Sequence, residues 1–225
     1  MSPSQNGFFI VIDGPEGSGK SKQSKLLHDY IETELGQPCI LTREPGGTVG
    51  AEEIRSLLVS GDVNRWDGIT ELLLFNAARR DHLEKVIKPA LESGKHVICD
   101  RFIGSTYALQ GYGHQLPLST VDAVINAAIG DFKADLSIYL MVPPEIGLKR
   151  ALSRRGTEAR FEAMDLEFHR RVYQGFKAMM LRQDNRVFRQ TKEQPNETAE
   201  QCITRIQLEI QKIVSNFIKT NKTSN

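Results

Sequence analysis

Short runs of β-favouring apolar residues recur along the chain, and longer stretches with helical spacing separate them. The runs predict strands over residues 8–13, 38–42, 96–100, 136–141 and 187–191. The intervening pattern predicts helices, among them 20–35, 69–92, 144–153 and 197–218. Most of the strand runs are continuously apolar rather than alternating, as expected for strands covered on both faces. Strands separated by helices imply an α/β fold with a parallel sheet between helical layers, joined by right-handed crossovers. Repeats and low-complexity linkers are lacking, and 225 residues suit a single domain. The tail after Lys219 is polar and is expected to fray.

One segment departs from this alternation. Residues 153–162 read SRRGTEARFE, basic and interrupted by a glycine, between two helical stretches. They predict an exposed, mobile loop; an ordinary solvated connection is the plainer alternative.

Composition narrows the function classes. Hydrophobic residues make up 40% and charged residues 25%, the balance of a soluble globular protein large enough to bury a full core. The formal net charge is +1, which argues against a nucleic-acid coat or a membrane-surface protein. Anion binding must come from local basic clusters, and that points to a small anionic ligand. Cys39, Cys99 and Cys202 lack metal-ligand spacing and suit a reducing, cytoplasmic compartment. Residues 1–7 lack the pattern of a secretory signal, and no apolar run approaches membrane-spanning length.

The strongest chemical signal is Gly14-Pro15-Glu16-Gly17-Ser18-Gly19-Lys20-Ser21, a G-x-x-x-x-G-K-[ST] motif that follows a strand and opens a helix. The glycines let successive backbone N–H groups turn inward around phosphate oxygens, and the helix adds its positive end. Lys20 is placed to reach the terminal phosphates, and the Ser21 hydroxyl to ligate Mg²⁺. The motif establishes nucleotide phosphate binding without choosing among switches, motors and kinases. Asp100 closes another predicted strand and should face the same crevice, where it could hold Mg²⁺ or its waters; a capping role is the alternative.

Phosphoryl transfer between phosphates needs dense positive charge. Arg43 follows the second strand in TREPGGT, Arg101 ends the third, and Arg154, Arg155 and Arg160 populate the basic loop. Any one of them alone could be a solvated surface arginine, but their joint placement suggests phosphate contacts. Phe75 and Arg79 stand four apart in ELLLFNAARR, hence on one helix face. A ring beside a donor could stack on a base and read its carbonyl, although Phe75 taken alone reads as a core residue.

IDGPEGSGKS, TREPGGT, ELLLFNAARR, VICDRFIGSTYALQG and DLSIYLMVPPEIGLKRA occur in this order over nearly the whole chain. Together they resemble the bacterial-type thymidylate kinases. The resemblance implies a P-loop nucleoside-monophosphate kinase fold over 1–225. It would have a five-stranded parallel sheet in the order 2-3-1-4-5, a closing lid at about 151–163, a polar tail at about 220–225 and a homodimer. It implies transfer of the γ-phosphoryl of ATP to dTMP, giving dTDP, with Mg²⁺. Gly14 to Ser21 would hold the ATP phosphates, and Arg160 would also contact ATP. Arg43 and Arg101 would bind the dTMP phosphate, Phe75 would stack on thymine, and Arg79 would donate to a base carbonyl. Ser105 and Gln110 would line the base and sugar pocket, and Glu16 would approach the sugar 3′ hydroxyl. Lys20, Arg101 and a lid arginine, Arg154 or Arg155, would stabilise the transferring phosphoryl, because the P-loop itself carries no arginine.

Two positions depart from the family pattern. Leu109 stands where many members carry an aromatic near the sugar 2′ carbon, which puts discrimination against ribonucleotides in question; Tyr107 is the nearby ring that could compensate. Met141 occupies a strand end that is often acidic. Among rivals, a nucleoside kinase would not need arginines for an acceptor phosphate, and a GTPase would need N-K-x-D. Asn221-Lys222, in the tail, lacks the aspartate.

Overall fold

The structure is a computed structural model that describes residues 7–153, 160–179, 186–190 and 193–222. Strand β1 (Phe9–Asp13) is buried at every position and leads through the glycine-rich turn into α1 (Lys20–Thr33). Strand β2 (Cys39–Arg43) follows, then α2 (Val49–Val59) and α3 (Gly68–His82). The Thr48 side chain caps α2 by accepting from Ala51 N, and Asp67 caps α3 through Ile69 N and Thr70 N. A π-helical stretch (Leu83–Ile87) and α4 (Lys88–Glu92) complete this segment.

Strand β3 (His96–Asp100) precedes a short α5 (Ile103–Thr106), a second π-helical stretch (Tyr107–Gly113) and α6 (Leu118–Ile129). Then come β4 (Leu136–Met141), α7 (Pro144–Leu152), α8 (Leu166–Met179), β5 (Arg186–Gln190) and α9 (Ala199–Lys222).

All five strands pair in parallel in the order β2-β3-β1-β4-β5. The alternation within β1, β3 and β4 divides the core in two. Phe9, Val11, Val97, Cys99, Tyr139 and Met141 face one layer, with α6, α8 and the π-helical stretches. Ile10, Ile12, Ile98, Leu136, Ile138 and Leu140 face the other, against α1 and α9. Each fully buried aliphatic side chain contributes about 1.5–3 kcal/mol of transfer free energy. β2 lies at the sheet edge and alternates in burial, with Leu41 partly in solvent.

Three expectations need correction. The predicted helix 69–92 is interrupted by the π-helical stretch, where the Lys88 N–H bonds to the Leu83 carbonyl. Pro89 lies just beyond; its ring would press on the carbonyl four residues back, and the wider turn relieves that clash. The last helix continues to Lys222, past the expected fraying point, and Asn221 Nδ2 donates to the Phe217 carbonyl. The segment 153–162 is not exposed throughout, because Arg160 is buried.

α8 lies very close to the second π-helical stretch. A Cβ at Gly175 would stand 2.8 Å from the Ala108 Cα, so only glycine permits this approach.

Candidate active site

The carboxyl ends of β1, β2 and β3 converge because the parallel register aligns Ile12 with Asp100 and Arg43 with Asp100. Beyond them lies a cavity of about 670 Å³, walled by residues 16–23, Arg43, Glu44, Phe75, Arg79, Asp100, Arg101, Ser105 and others. Ligands of open α/β sheets bind in this crevice.

The glycine-rich turn is shaped by backbone conformations that side chains disfavour. Gly17 has φ 68°, and a Cβ there would stand 2.0 Å from the Gly147 carbonyl oxygen. Gly19 has φ 90° at the start of α1. Gly14 and Pro15 do not border the cavity; the Gly14 carbonyl accepts from Arg101 Nη1 at 3.1 Å and the Pro15 carbonyl from Lys20 Nζ at 2.8 Å. Burial, with help from Arg101, pulls the Lys20 ammonium down to about 8, against the pull of Glu16, Asp100 and Asp13.

Ser21 Oγ donates to Asp100 Oδ2 at 2.6 Å. The other oxygen, Oδ1, is buried without a hydrogen-bond partner among the described residues. The Ser21 hydroxyl and the Asp100 carboxylate, one of whose oxygens is unpartnered, offer hard-oxygen donors suited to Mg²⁺.

Arg101 holds a left-handed backbone, φ 73°, unusual for a residue with a side chain. Its Nη1 also donates to Ser105 Oγ at 3.0 Å, and its Nη2 to Glu16 Oε1. Burial opposes its charge, but Glu16, Asp100 and Asp13 outweigh that and hold it above the usual arginine range. Ser105 Oγ in turn donates to Asp13 Oδ1 at 2.6 Å. Asp13 also accepts from the backbone N–H groups of Gly14, Phe102 and Ser105, and burial pushes its carboxyl up despite these donors and Arg101. Asp13 thereby ties the glycine-rich turn to the start of α5.

Phe75 and Arg79 border the cavity from α3, as their spacing predicts. Phe75 stands 5.8 Å from Phe161, ring centre to ring centre, at 53°. Arg43 is half exposed and paired with Glu52 at 3.0 Å. Leu109 borders the cavity, whereas the Tyr107 hydroxyl donates to Asp122 on α6 and so cannot stand in for an aromatic at position 109. Met141 is wholly buried in the core.

Two expected contact residues lie elsewhere. Gln110 is fully buried behind the wall, where its Nε2 donates to Glu71 Oε1 at 2.7 Å. Arg160 pairs with the same buried Glu71 at 2.6 Å and donates to the carbonyls of Leu58, Asp62 and Val63. Its guanidinium closes the end of α2 and does not border the cavity, because the buried Glu71 carboxylate holds it there. Arg154 and Arg155 lie outside the described residues.

The cavity also has walls that sequence patterning did not single out. Arg55, Arg150 and Glu162 border it, as do Gln23, Cys202, Ile203 and Ile206 at the meeting of α1 and α9. Arg150 reaches the Gly17 carbonyl at 3.4 Å and Glu193 at 2.6 Å. Their signal in the sequence was weak: Arg150 precedes the basic segment and Glu162 ends it, and the α9 residues read as an ordinary apolar stripe.

A parallel sheet in this order, with a phosphate-binding loop and an arginine-lined crevice at its carboxyl edge, defines a P-loop kinase of the nucleoside-monophosphate kinase fold. The thymidylate kinase family model matches residues 12–203, and the chain belongs to that family. It is 47% identical over 180 residues to a thymidylate kinase of Caulobacter vibrioides, covering 80% of this chain and 86% of the relative. A Synechococcus thymidylate kinase is 45% identical over 181 residues, covering 80% and 84%. The crystal structure of a thymidylate kinase from Ehrlichia chaffeensis superimposes with a TM-score of 0.74 at 34% identity, covering 93% of this chain and 99% of that one. Among the described residues, no helix is long and apolar enough to cross a membrane.

Proposed function

We propose that the protein transfers the γ-phosphoryl of ATP to dTMP, giving dTDP and ADP, with Mg²⁺ as the assisting ion, and that it works in the cytoplasm as a homodimer. The observation that carries this reading is a single cavity bordered at one side by Lys20 and Ser21 and at another by Phe75 and Arg79. A donor phosphate chain and an acceptor base can therefore occupy one crevice. Family membership supports the substrates, and the three buried free cysteines suit a reducing compartment.

In this reading the inward-facing N–H groups of the glycine-rich turn and Lys20 hold the ATP phosphates. Ser21 and Asp100 hold Mg²⁺, which neutralises charge on the phosphates. Phe75 stacks on thymine, and Arg79 donates to a base carbonyl. Arg43 and Arg101 grip the acceptor phosphate, and Glu16 meets the sugar 3′ hydroxyl. An oxygen of the acceptor phosphate forms the new bond to the γ-phosphorus while the bond from that phosphorus to its bridging oxygen breaks, and ADP leaves. Lys20 and Arg101 take up the developing charge.

An ADP-release assay with ATP and Mg²⁺ tests this, with dTMP, dUMP, UMP, dCMP and thymidine compared as acceptors. Strong preference for dTMP is expected. Turnover with thymidine alone would mean a nucleoside kinase, and acceptor-independent turnover would overturn the reading.

A further inference from the structure

Arg79 is held from three directions before any ligand arrives. Its Nε donates to Glu44 Oε2 at 2.7 Å, its Nη1 to Asn76 Oδ1 at 2.9 Å and its Nη2 to Thr106 Oγ1 at 2.9 Å. The Phe102 ring lies 5.3 Å from its Cζ. A guanidinium carries five N–H groups in one plane, so these three bonds fix that plane and leave one N–H on each terminal nitrogen. Arg79 is only 2% exposed, yet it borders the cavity beside Phe75.

Glu44 is the charged member of the three anchors, and it is held in turn. Its backbone N–H bonds to the Asp100 carbonyl at 3.0 Å, which ties it to the end of β3. Its second carboxylate oxygen faces His82 Nδ1 at 3.4 Å, and His82 Nε2 meets Thr42 Oγ1 at 2.6 Å. A carboxylate can only accept, so Nδ1 donates to Glu44, and the contact of Nε2 with the threonine hydroxyl holds the ring from its other side. Gly47 leaves the space for this ring, since a Cβ there would stand 2.5 Å from it.

Glu44, His82 and Cys99 also bring donor atoms within 4.8 Å of one another, an arrangement that could suggest a metal. The Arg79 cation already occupies the carboxylate, and burial beside Glu44 pushes the Cys99 thiol well above its ordinary value. The cluster therefore holds the Arg79 guanidinium and a protonated thiol rather than a metal ion.

We propose that Glu44 and His82 are positioning residues for acceptor selection: the hydrogen-bonded chain Thr42–His82–Glu44–Arg79 aims the two remaining Arg79 N–H groups at the acceptor base. This rests on the reading of Arg79 as the base-carbonyl donor. A carbonyl can accept from Arg79 where an amino group cannot, so the aim of the guanidinium separates thymine from cytosine. Loosening the chain lets Arg79 swing and weakens that separation, while the ATP side of the cavity is untouched.

The test compares Glu44→Gln, His82→Leu, His82→Asn and Arg79→Ala, each with dTMP and dCMP as acceptors and with ATP varied separately. Glu44→Gln and His82→Leu are expected to raise KM for dTMP about tenfold and to lower dTMP-over-dCMP selectivity by about the same factor, with KM for ATP within about twofold. His82→Asn keeps a donor near Nδ1 and should recover most of the loss seen in His82→Leu. In an Arg79→Ala background, His82→Leu should cost nothing more, because the group it aims is gone. Unchanged selectivity in Glu44→Gln and His82→Leu, or full additivity with Arg79→Ala, would overturn the proposal. If Glu44→Gln does not fold, the His82 series and its cycle decide alone. Equal loss of ATP and dTMP in Arg79→Ala would instead overturn the base-reading assignment itself, a separate result from the failure of the positioning chain.

Discussion

Ser21 Oγ donates to Asp100 Oδ2 at 2.6 Å, across 79 residues of sequence, and joins the start of α1 to the end of β3. The bond leaves the second Asp100 oxygen buried and without a partner among the described residues. On the proposed role of Asp100 as a Mg²⁺ ligand, we expect Asp100→Asn to lower kcat by about two orders of magnitude, since a carboxylate in that role acts mainly in the transition state. Titration of activity with Mg²⁺ checks this: the half-saturating concentration should rise in both Asp100→Asn and Ser21→Ala, and a chelator should abolish wild-type turnover.

Lys20 predicts a pH dependence. Its ammonium titrates at about 8 in the ligand-free fold against an unfolded value of 10.5. The charged form is therefore penalised in the fold; the penalty is fully present below pH 8 and fades as pH rises toward 10.5. Lys20→Met should be more stable than wild type at pH 7, with the gap closing by pH 10.5 in denaturant titrations. Function has the opposite sign. If, as proposed, Lys20 holds the ATP phosphates through its ammonium, kcat/KM for ATP should fall above about pH 8, while kcat at saturating ATP persists to higher pH.

Gly104 bears on stability. A Cβ there would stand 2.7 Å from the Tyr139 hydroxyl and 2.8 Å from Asp13 Oδ2, the carboxylate that ties the glycine-rich turn to α5. Overpacking at such a site costs about 1–3 kcal/mol. Gly104→Ala should lower Tm by roughly 2–4 °C per kcal/mol in a chain of this size, as calorimetry would show. It should also weaken ATP binding, because the turn moves with Asp13.

The Glu71–Arg160 pair is wholly buried. Burial alone would raise the Glu71 carboxyl, but the close contact with His114 at 3.0 Å and hydrogen bonds from Gln110 and Arg160 outweigh it and hold it below 4.5. A carboxylate depressed in this way contributes stability that is complete above the unfolded value and is lost as pH falls through the folded one. Removing one partner of a buried pair costs about 3–5 kcal/mol, so Arg160→Ala should unfold at markedly lower denaturant concentration at pH 7. The deficit should narrow as the pH falls through the acid range. Activity lost with no loss of stability would instead place Arg160 at the nucleotide.

β1, β3 and β4 were legible in the sequence because burial on both faces leaves an apolar run that little else produces; β3 and β4 match the expected bounds, and the other strands fall within one residue at each end. The glycine-rich turn was equally legible, since its glycines and lysine are adjacent in the chain. Phe75 and Arg79 were found by their spacing on α3, a short-range relationship. Helix bounds were less so: nothing local marks the π-helical stretches except Pro89 beyond the first.

Sequence alone, then, determined the α/β class and the glycine-rich loop that opens α1, and picked out the arginines proposed for phosphate transfer, because each depends on periodicity or on contiguous residues. Tertiary structure decided which of them share a cavity. Arg160 and Gln110 are turned inward by Glu71, a residue 89 positions from one and 39 from the other. Glu44 and His82 are joined to Arg79 only where the edge of the sheet meets α3. A buried charge must find its partner wherever the fold brings one, and that pairing leaves no periodic trace along the chain.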